Sequence, residues 1–138
     1  MNALTPFVGI WNTTGKIWRG DGEEEQRLVA TDIYEWLPGK GFLLHRADAR
    51  LGDEVARSVE IIGWDDEAAE IFSASYDDQG ATSQFQCALD GREWRIDGKG
   101  IRFRGAFNQG WSQLTGTWER ESQGSWSSWM DISLIKAD

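Results

Sequence analysis

Turn signals recur along this chain at intervals too short to hold helices. They fall at Arg19-Gly20-Asp21-Gly22, Pro38-Gly39, Gly52-Asp53, Asp65-Asp66, Asp77-Asp78-Gln79-Gly80, Asp90-Gly91, Asp97-Gly98, Asn108-Gln109-Gly110 and Ser122-Gln123-Gly124. Pro38 presets its own φ, Gly39 accepts a positive φ, and Asp-Gly suits a two-residue hairpin. These signals separate about ten runs of strand length. The gaps cannot hold the crossover helices of a parallel sheet, so the strands are expected to be antiparallel. No window of about 12 residues shows a clean helical stripe of apolar side chains. No linker divides the chain, so residues 1–138 read as one all-β domain.

Alternation then assigns the inward faces, because side chains switch sides at every strand residue. Trp11, Thr13 and Ile17 share a face, as do Leu43, His45, Ala47, Ala49 and Leu51. The same pattern groups Phe72, Ala74 and Tyr76; Phe85, Cys87 and Leu89; Ile101, Phe103 and Phe107; and Trp126, Met130, Ile132 and Leu134. Around residue 35 the pattern is ambiguous, with Tyr34 and Trp36 on one face and Ile33 and Leu37 on the other. An open sheet of this size would leave two hydrogen-bonding edges bare, whereas closure removes them. The expected fold is a closed antiparallel up-and-down barrel. Eight strands just fill with side chains or hold one small ligand, and about ten leave more room.

Charge narrows the partners. The chain has 14 Lys and Arg against 23 Asp and Glu, a net charge of −9. That field repels a phosphate backbone and an anionic membrane surface. No apolar run approaches the roughly 20 residues that span a bilayer. Met1-Asn2-Ala3-Leu4-Thr5-Pro6 lacks the marks of a signal peptide, and the lone Cys87 cannot form an internal disulfide. The expectation is a cytoplasmic protein with neither nucleic-acid nor membrane partners.

Phe7-Val8-Gly9-Ile10-Trp11 resembles the Gly-x-Trp that opens the first strand of lipocalin-like (calycin) barrels. Pro38-Gly39-Lys40-Gly41-Phe42-Leu43, Ile62-Gly63-Trp64-Asp65, Leu114-Thr115-Gly116-Thr117-Trp118-Glu119 and a Trp-rich close ending in Met130-Asp131 extend the likeness. In that order they resemble an uncharacterised bacterial family of calycin-like barrels, kin to nitrobindins and fatty-acid-binding proteins. The resemblance implies that Trp11 plugs one barrel end and that a basic side chain crosses it, Lys136 or alternatively Arg120. It also has limits. A nitrobindin-like barrel holds haem through a His near its C-terminal end, and residues 126–138 contain none. Residues 19–26 are too few and too Gly-rich for the two-helix lid of fatty-acid-binding proteins.

The sequence offers no catalytic constellation. His45 is the only histidine, no Gly-x-Ser-x-Gly elbow is present, and one His with one Cys cannot close a typical zinc site. No cofactor and no metal are expected. Cys87, between Phe85 and Leu89, reads as a core thiol. Arg46, Arg95, Arg102 and Arg104 alternate outward and read as surface residues. Nine Trp exceed what packing alone needs, so part of that surplus is expected to line a cavity. The expected function is binding of a small apolar or aromatic molecule, with Tyr34, Trp36, His45, Tyr76, Phe85, Phe103, Trp118 and Met130 as the lining. One alternative is an enzyme with His45 as acid or base. The other is a filled barrel that acts through its surface or as a homodimer. A central cavity would separate binder from filled barrel, and a carboxylate or Arg beside His45 would favour the enzyme.

Overall fold

The computed structural model describes residues 2–18 and 24–137. A short 3-10 helix, Asn2–Phe7, leads into ten strands. These are β1 (Gly9–Trp18), β2 (Glu24–Trp36), β3 (Leu43–Leu51), β4 (Glu54–Asp65), β5 (Glu70–Asp77), β6 (Thr82–Asp90), β7 (Glu93–Asp97), β8 (Ile101–Phe107), β9 (Gln113–Ser122) and β10 (Ser125–Lys136). Each strand pairs antiparallel with its neighbour in sequence, and β10 returns to β1, so the sheet closes. The closing seam runs from Trp11 opposite Lys136 to Ile17 opposite Met130. Eight joints between strands lie at or beside the turn signals, and the signal at residues 19–22 lies outside the described residues. Gly52 and Gly91 take φ of +63° and +62°, a conformation that glycine reaches without strain at tight hairpins.

Most inward faces follow the alternation. Trp11, Thr13, Ile17, Leu43, Cys87, Phe103, Phe107 and Leu134 are buried, and β2 resolves with Tyr34 inside. Two faces differ. On β5 it is Ile71 and Ser73 that point inward, while Tyr76 is 46% exposed and pairs with Val59 of β4 on the outer surface. Hydrophobicity misassigns this strand because β4 and β5 carry apolar side chains outside and serines inside. On β10 a register shift between Ser128 and Met130 breaks the alternation. Met130, Ile132 and Leu134 stay inward, whereas Trp126 moves to the outer face, with the Arg102 guanidinium 4.0 Å from its ring centroid. The other strand arginines also face outward, pairing Arg46 with Glu35, Arg102 with Glu119 and Arg104 with Asp97.

One barrel end is plugged by a segment that strand signals do not reveal. Leu4 and Phe7 of the 3-10 helix are essentially fully buried. The Phe7 ring packs against Tyr34, Trp94 and Phe107 at centroid distances of 5.1, 4.8 and 5.0 Å. Beside it, the Trp11 indole N–H donates to the Phe7 carbonyl at 2.8 Å. Lys136 Nζ sits 4.9 Å from the Trp11 ring centroid and donates to the Pro6 carbonyl at 3.0 Å. This contact satisfies the ammonium on one side and the π face on the other. Arg120 lies instead over Trp129, 3.6 Å from the ring centroid.

Gly105 of β8 faces Gly116 of β9. A Cβ at Gly105 would lie 2.6 Å from the Phe103 ring and from the Thr115 carbonyl. The missing side chains let Phe103 lie down against the barrel wall. Replacing Trp11 with Ala is expected to lower unfolding free energy by about 3–5 kcal/mol, because it empties the plug and orphans the Phe7 carbonyl. Urea denaturation followed by far-UV circular dichroism measures this, and a loss below about 1 kcal/mol would show that the ring is not part of a packed core.

Candidate ligand cavity

A cavity of about 290 Å³ lies inside the barrel. Its shape follows from unequal walls. Ala30, Ala47, Ala49 and Ser58 from β2, β3 and β4 form a wall of small side chains. Trp94, Phe103, Leu114 and Trp118 from β7, β8 and β9 also line it. A ten-stranded barrel encloses more width than side chains of average size can fill, and the small wall leaves that surplus open.

Four adjacent strands contribute a polar band. Asp32 on β2 lies opposite Ala47 and one step diagonally from His45 on β3, and His45 lies directly opposite Glu60 on β4. Such neighbours are within reach of long side chains on one sheet face. His45 Nε2 is 2.7 Å from Asp32 Oδ1, and Nδ1 is 2.8 Å from Glu60 Oε1. The Thr13 hydroxyl of β1 donates to the second oxygen of Asp32. Tyr34 pairs across the strands with His45 and stacks on its ring at a centroid distance of 4.0 Å, with 8° between the planes.

Both imidazole nitrogens therefore face carboxylates, which calls for a proton on each. Burial alone pushes His45 towards the neutral form, but the hydrogen bonds to Asp32 and Glu60 outweigh it and raise the pKa to about 9. The stacked Tyr34 face adds a favourable contact for the cation. Tyr34 itself is held protonated, first by burial and then by the nearby charges of Asp32 and Glu60. Burial likewise pushes the Cys87 thiol up to about 12, which leaves it unreactive at neutral pH.

Five of the eight residues expected at the lining meet the cavity: Tyr34, His45, Phe103, Trp118 and Met130. The other three do not. Trp36 packs against the core beyond the cavity. Phe85 points inward but rests on Trp118, with ring centroids 6.3 Å apart. Tyr76 is outside, for the reason given above. The tryptophan surplus also resolves differently from expectation. Only Trp94 and Trp118 of the nine line the cavity, while Trp11 plugs the end and Trp126 and Trp129 stack on arginines.

Thr13, Asp32 and Glu60 escaped the sequence reading. Asp32 shares the face of Tyr34, so it follows once β2 is oriented. Glu60 sits between Val59 and Ile61, and the hydrophobic rule turns it outward. Register recovers it, since the two-residue hairpin at Gly52-Asp53 pairs Leu51 with Glu54 and so carries Glu60 to His45. Among the described residues, no group of three or more His, Cys, Asp or Glu side chains is arranged to hold a metal ion.

These features define a closed ten-stranded antiparallel barrel, plugged at one end and hollow within. No family model matches the sequence, and no curated protein is significantly similar to it. Among solved structures, the chain is similar to a de novo designed fluorescence-activating β-barrel. The TM-score is 0.52, with 11% identity and 99% of each chain covered. At that identity the likeness establishes the barrel fold alone. Among the described residues, no helix is long and apolar enough to cross a membrane.

With a single histidine in the chain, its ionisation can be read without ambiguity. Nitrogen-detected NMR is expected to show a doubly protonated imidazole at pH 7.5, titrating near pH 9. Because the folded pKa lies above the unfolded value of 6.5, this group stabilises the fold fully below pH 6.5 and loses its contribution as pH rises through 9. The melting temperature should fall across that window. A midpoint at or below 6.5 would contradict the double carboxylate contact.

Proposed function

We propose that the barrel binds a small, mainly apolar molecule in its interior. The carrying observation is the cavity of about 290 Å³, walled by aliphatic and aromatic side chains with one polar band. An apolar cavity of about 150 Å³ is enough to hold benzene, so this one suits a ligand of one or two rings. Small-molecule sites commonly join an apolar lining to a few polar groups that fix orientation. The designed barrel whose fold this chain shares is described as fluorescence-activating, which is compatible with an interior that receives a small molecule. Kinship with calycin-like barrels belongs to the same reading. Its support is the plug in which Lys136 crosses Trp11.

Binding is preferred here over acid–base chemistry at His45. Carboxylates do lie beside the imidazole, which meets one condition for the enzyme reading. Both ring nitrogens are engaged, however, so the protonated ring has no lone pair to accept a proton and no N–H directed at a ligand. The filled-barrel alternative is disfavoured by the cavity itself.

The neutral probe naphthalene-1-methanol is expected to bind with a Kd of about 1–100 μM, a range corresponding to roughly −8 to −5.5 kcal/mol. Calorimetry and quenching of Trp emission both follow it. Ala47→Trp, which fills the small-residue wall, should abolish binding in a protein that still melts cooperatively. Melting must be measured alongside, since overpacking costs about 1–3 kcal/mol. Absence of saturable binding to the folded wild type, or equal binding by the folded variant, would refute the interior site.

A further inference from the structure

The charges around the cavity are of one sign. Asp32 and Glu60 line it, and among the described residues no Lys or Arg does. Among the described residues, His45 is the one cationic partner at the cavity. With its ring charged the cluster carries a net −1, and with its ring neutral it carries −2, so the sign does not depend on the histidine. The cavity walls are otherwise apolar, which strengthens the field of an uncompensated carboxylate. The whole chain, at −9, adds to it.

Hydrogen-bonding capacity points the same way. Both oxygens of Asp32 are used, by Thr13 and His45. Glu60 is different: Oε1 accepts from His45, and Oε2 has no hydrogen-bond partner among the described residues. Independently, Tyr34 is only 7% exposed and lines the cavity, yet its hydroxyl also makes no hydrogen bond among the described residues. Neither oxygen is sealed off as a buried orphan. Both belong to residues that line one cavity, and a hydroxyl and a carboxylate oxygen that reach its open space without protein partners among the described residues are groups that a ligand can satisfy. Carboxylates accept hydrogen bonds and donate none. The aromatic rings of Trp94 and Trp118 also line the cavity, and an aromatic face favours a cation.

We propose that the ligand is an organic cation: a protonated amine carried on an aromatic or apolar body of one or two rings. The inference rests on the interior-binding reading and names its substrate class. The ammonium donates to Oε2 of Glu60 and to the Tyr34 oxygen, while the body fills the space against the small-residue wall. The same arrangement rejects carboxylates of equal shape, because an anion would meet Glu60 with no cation free to pair with it.

A matched series tests this by calorimetry at pH 7.5: 1-naphthylmethylamine, naphthalene-1-methanol and 1-naphthoate. The amine is expected to bind at least tenfold tighter than the alcohol, and the naphthoate at least tenfold weaker than the alcohol. In Glu60→Gln the ratio of amine to alcohol affinity should fall to within about threefold of unity. Ser58→Lys places a cation on the cavity wall two residues along the same face of β4, and it should reverse the order so that naphthoate outbinds the amine. These two variants act independently, so loss of folding in one leaves the other decisive, and the wild-type series stands without either. If the alcohol binds but the amine is no tighter, or if the amine preference survives in folded Glu60→Gln, the cation assignment is wrong while the interior site remains. If no member of the series binds the folded wild type, the interior site falls and the assignment falls with it.

Discussion

The width of a closed ten-stranded sheet is the constraint on which the other features rest. Closure leaves no unpaired edge, but it fixes a cross-section that ordinary side chains do not span. The protein meets this in two ways. At one end it inserts its own 3-10 helix, with Leu4 and Phe7 filling the bore beside Trp11. In the middle it leaves the bore open and lines it. The plug and the cavity are thus two answers to one geometric problem, and Tyr34 belongs to both, touching Phe7 on one side and His45 on the other.

Placing a charged triad inside has a visible effect outside. Inward positions of β4 hold Ser58 and Glu60 as well as Ile62, and Val55 and Val59 face out and are substantially exposed. The same inversion continues on β5, where Ser73 is buried and Tyr76 is on the surface. Over these stretches of β4 and β5 the usual relation between burial and hydrophobicity is partly reversed, although Ile62 and Ile71 still face the core. Aspartate and glutamate tolerate this position because each oxygen facing the imidazole is compensated by an N–H.

This explains which parts of the molecule were legible in its sequence. Strand number, antiparallel pairing and closure followed from turn chemistry, which is local: Gly52-Asp53 and Asp90-Gly91 specify hairpins whatever lies between them. The inward face of β3 was equally clear, since His45, Ala47 and Ala49 alternate with Arg46, Asp48 and Arg50. The 3-10 plug was not legible, as its burial depends on a bore that exists only after closure. Tyr76 was misplaced because alternation was read as hydrophobicity, and Trp126 because a single extra residue in β10 flips every side chain before it. His45 was found by its residue type. Its carboxylate partners were hidden by distance in sequence, although the register of one tight hairpin contained Glu60 all along.

The seam between β1 and β10 gives the molecule a mechanical character distinct from its thermal one. Gly9 and Lys136 both lie at the plugged end, on neighbouring antiparallel strands. Tension applied at these two points would pull the strands apart sideways, loading one ladder pair at a time, from Trp11–Lys136 towards Ile17–Met130. Antiparallel strands drawn from opposite ends share the load across the whole ladder, but here it falls on a single rung. At that end the Ala137 amide donates to the Ile10 carbonyl, and the Lys136 ammonium holds the Pro6 carbonyl and the Trp11 face together. The barrel would therefore open like a zipper when pulled at these two points, with the plug contacts set where the opening starts.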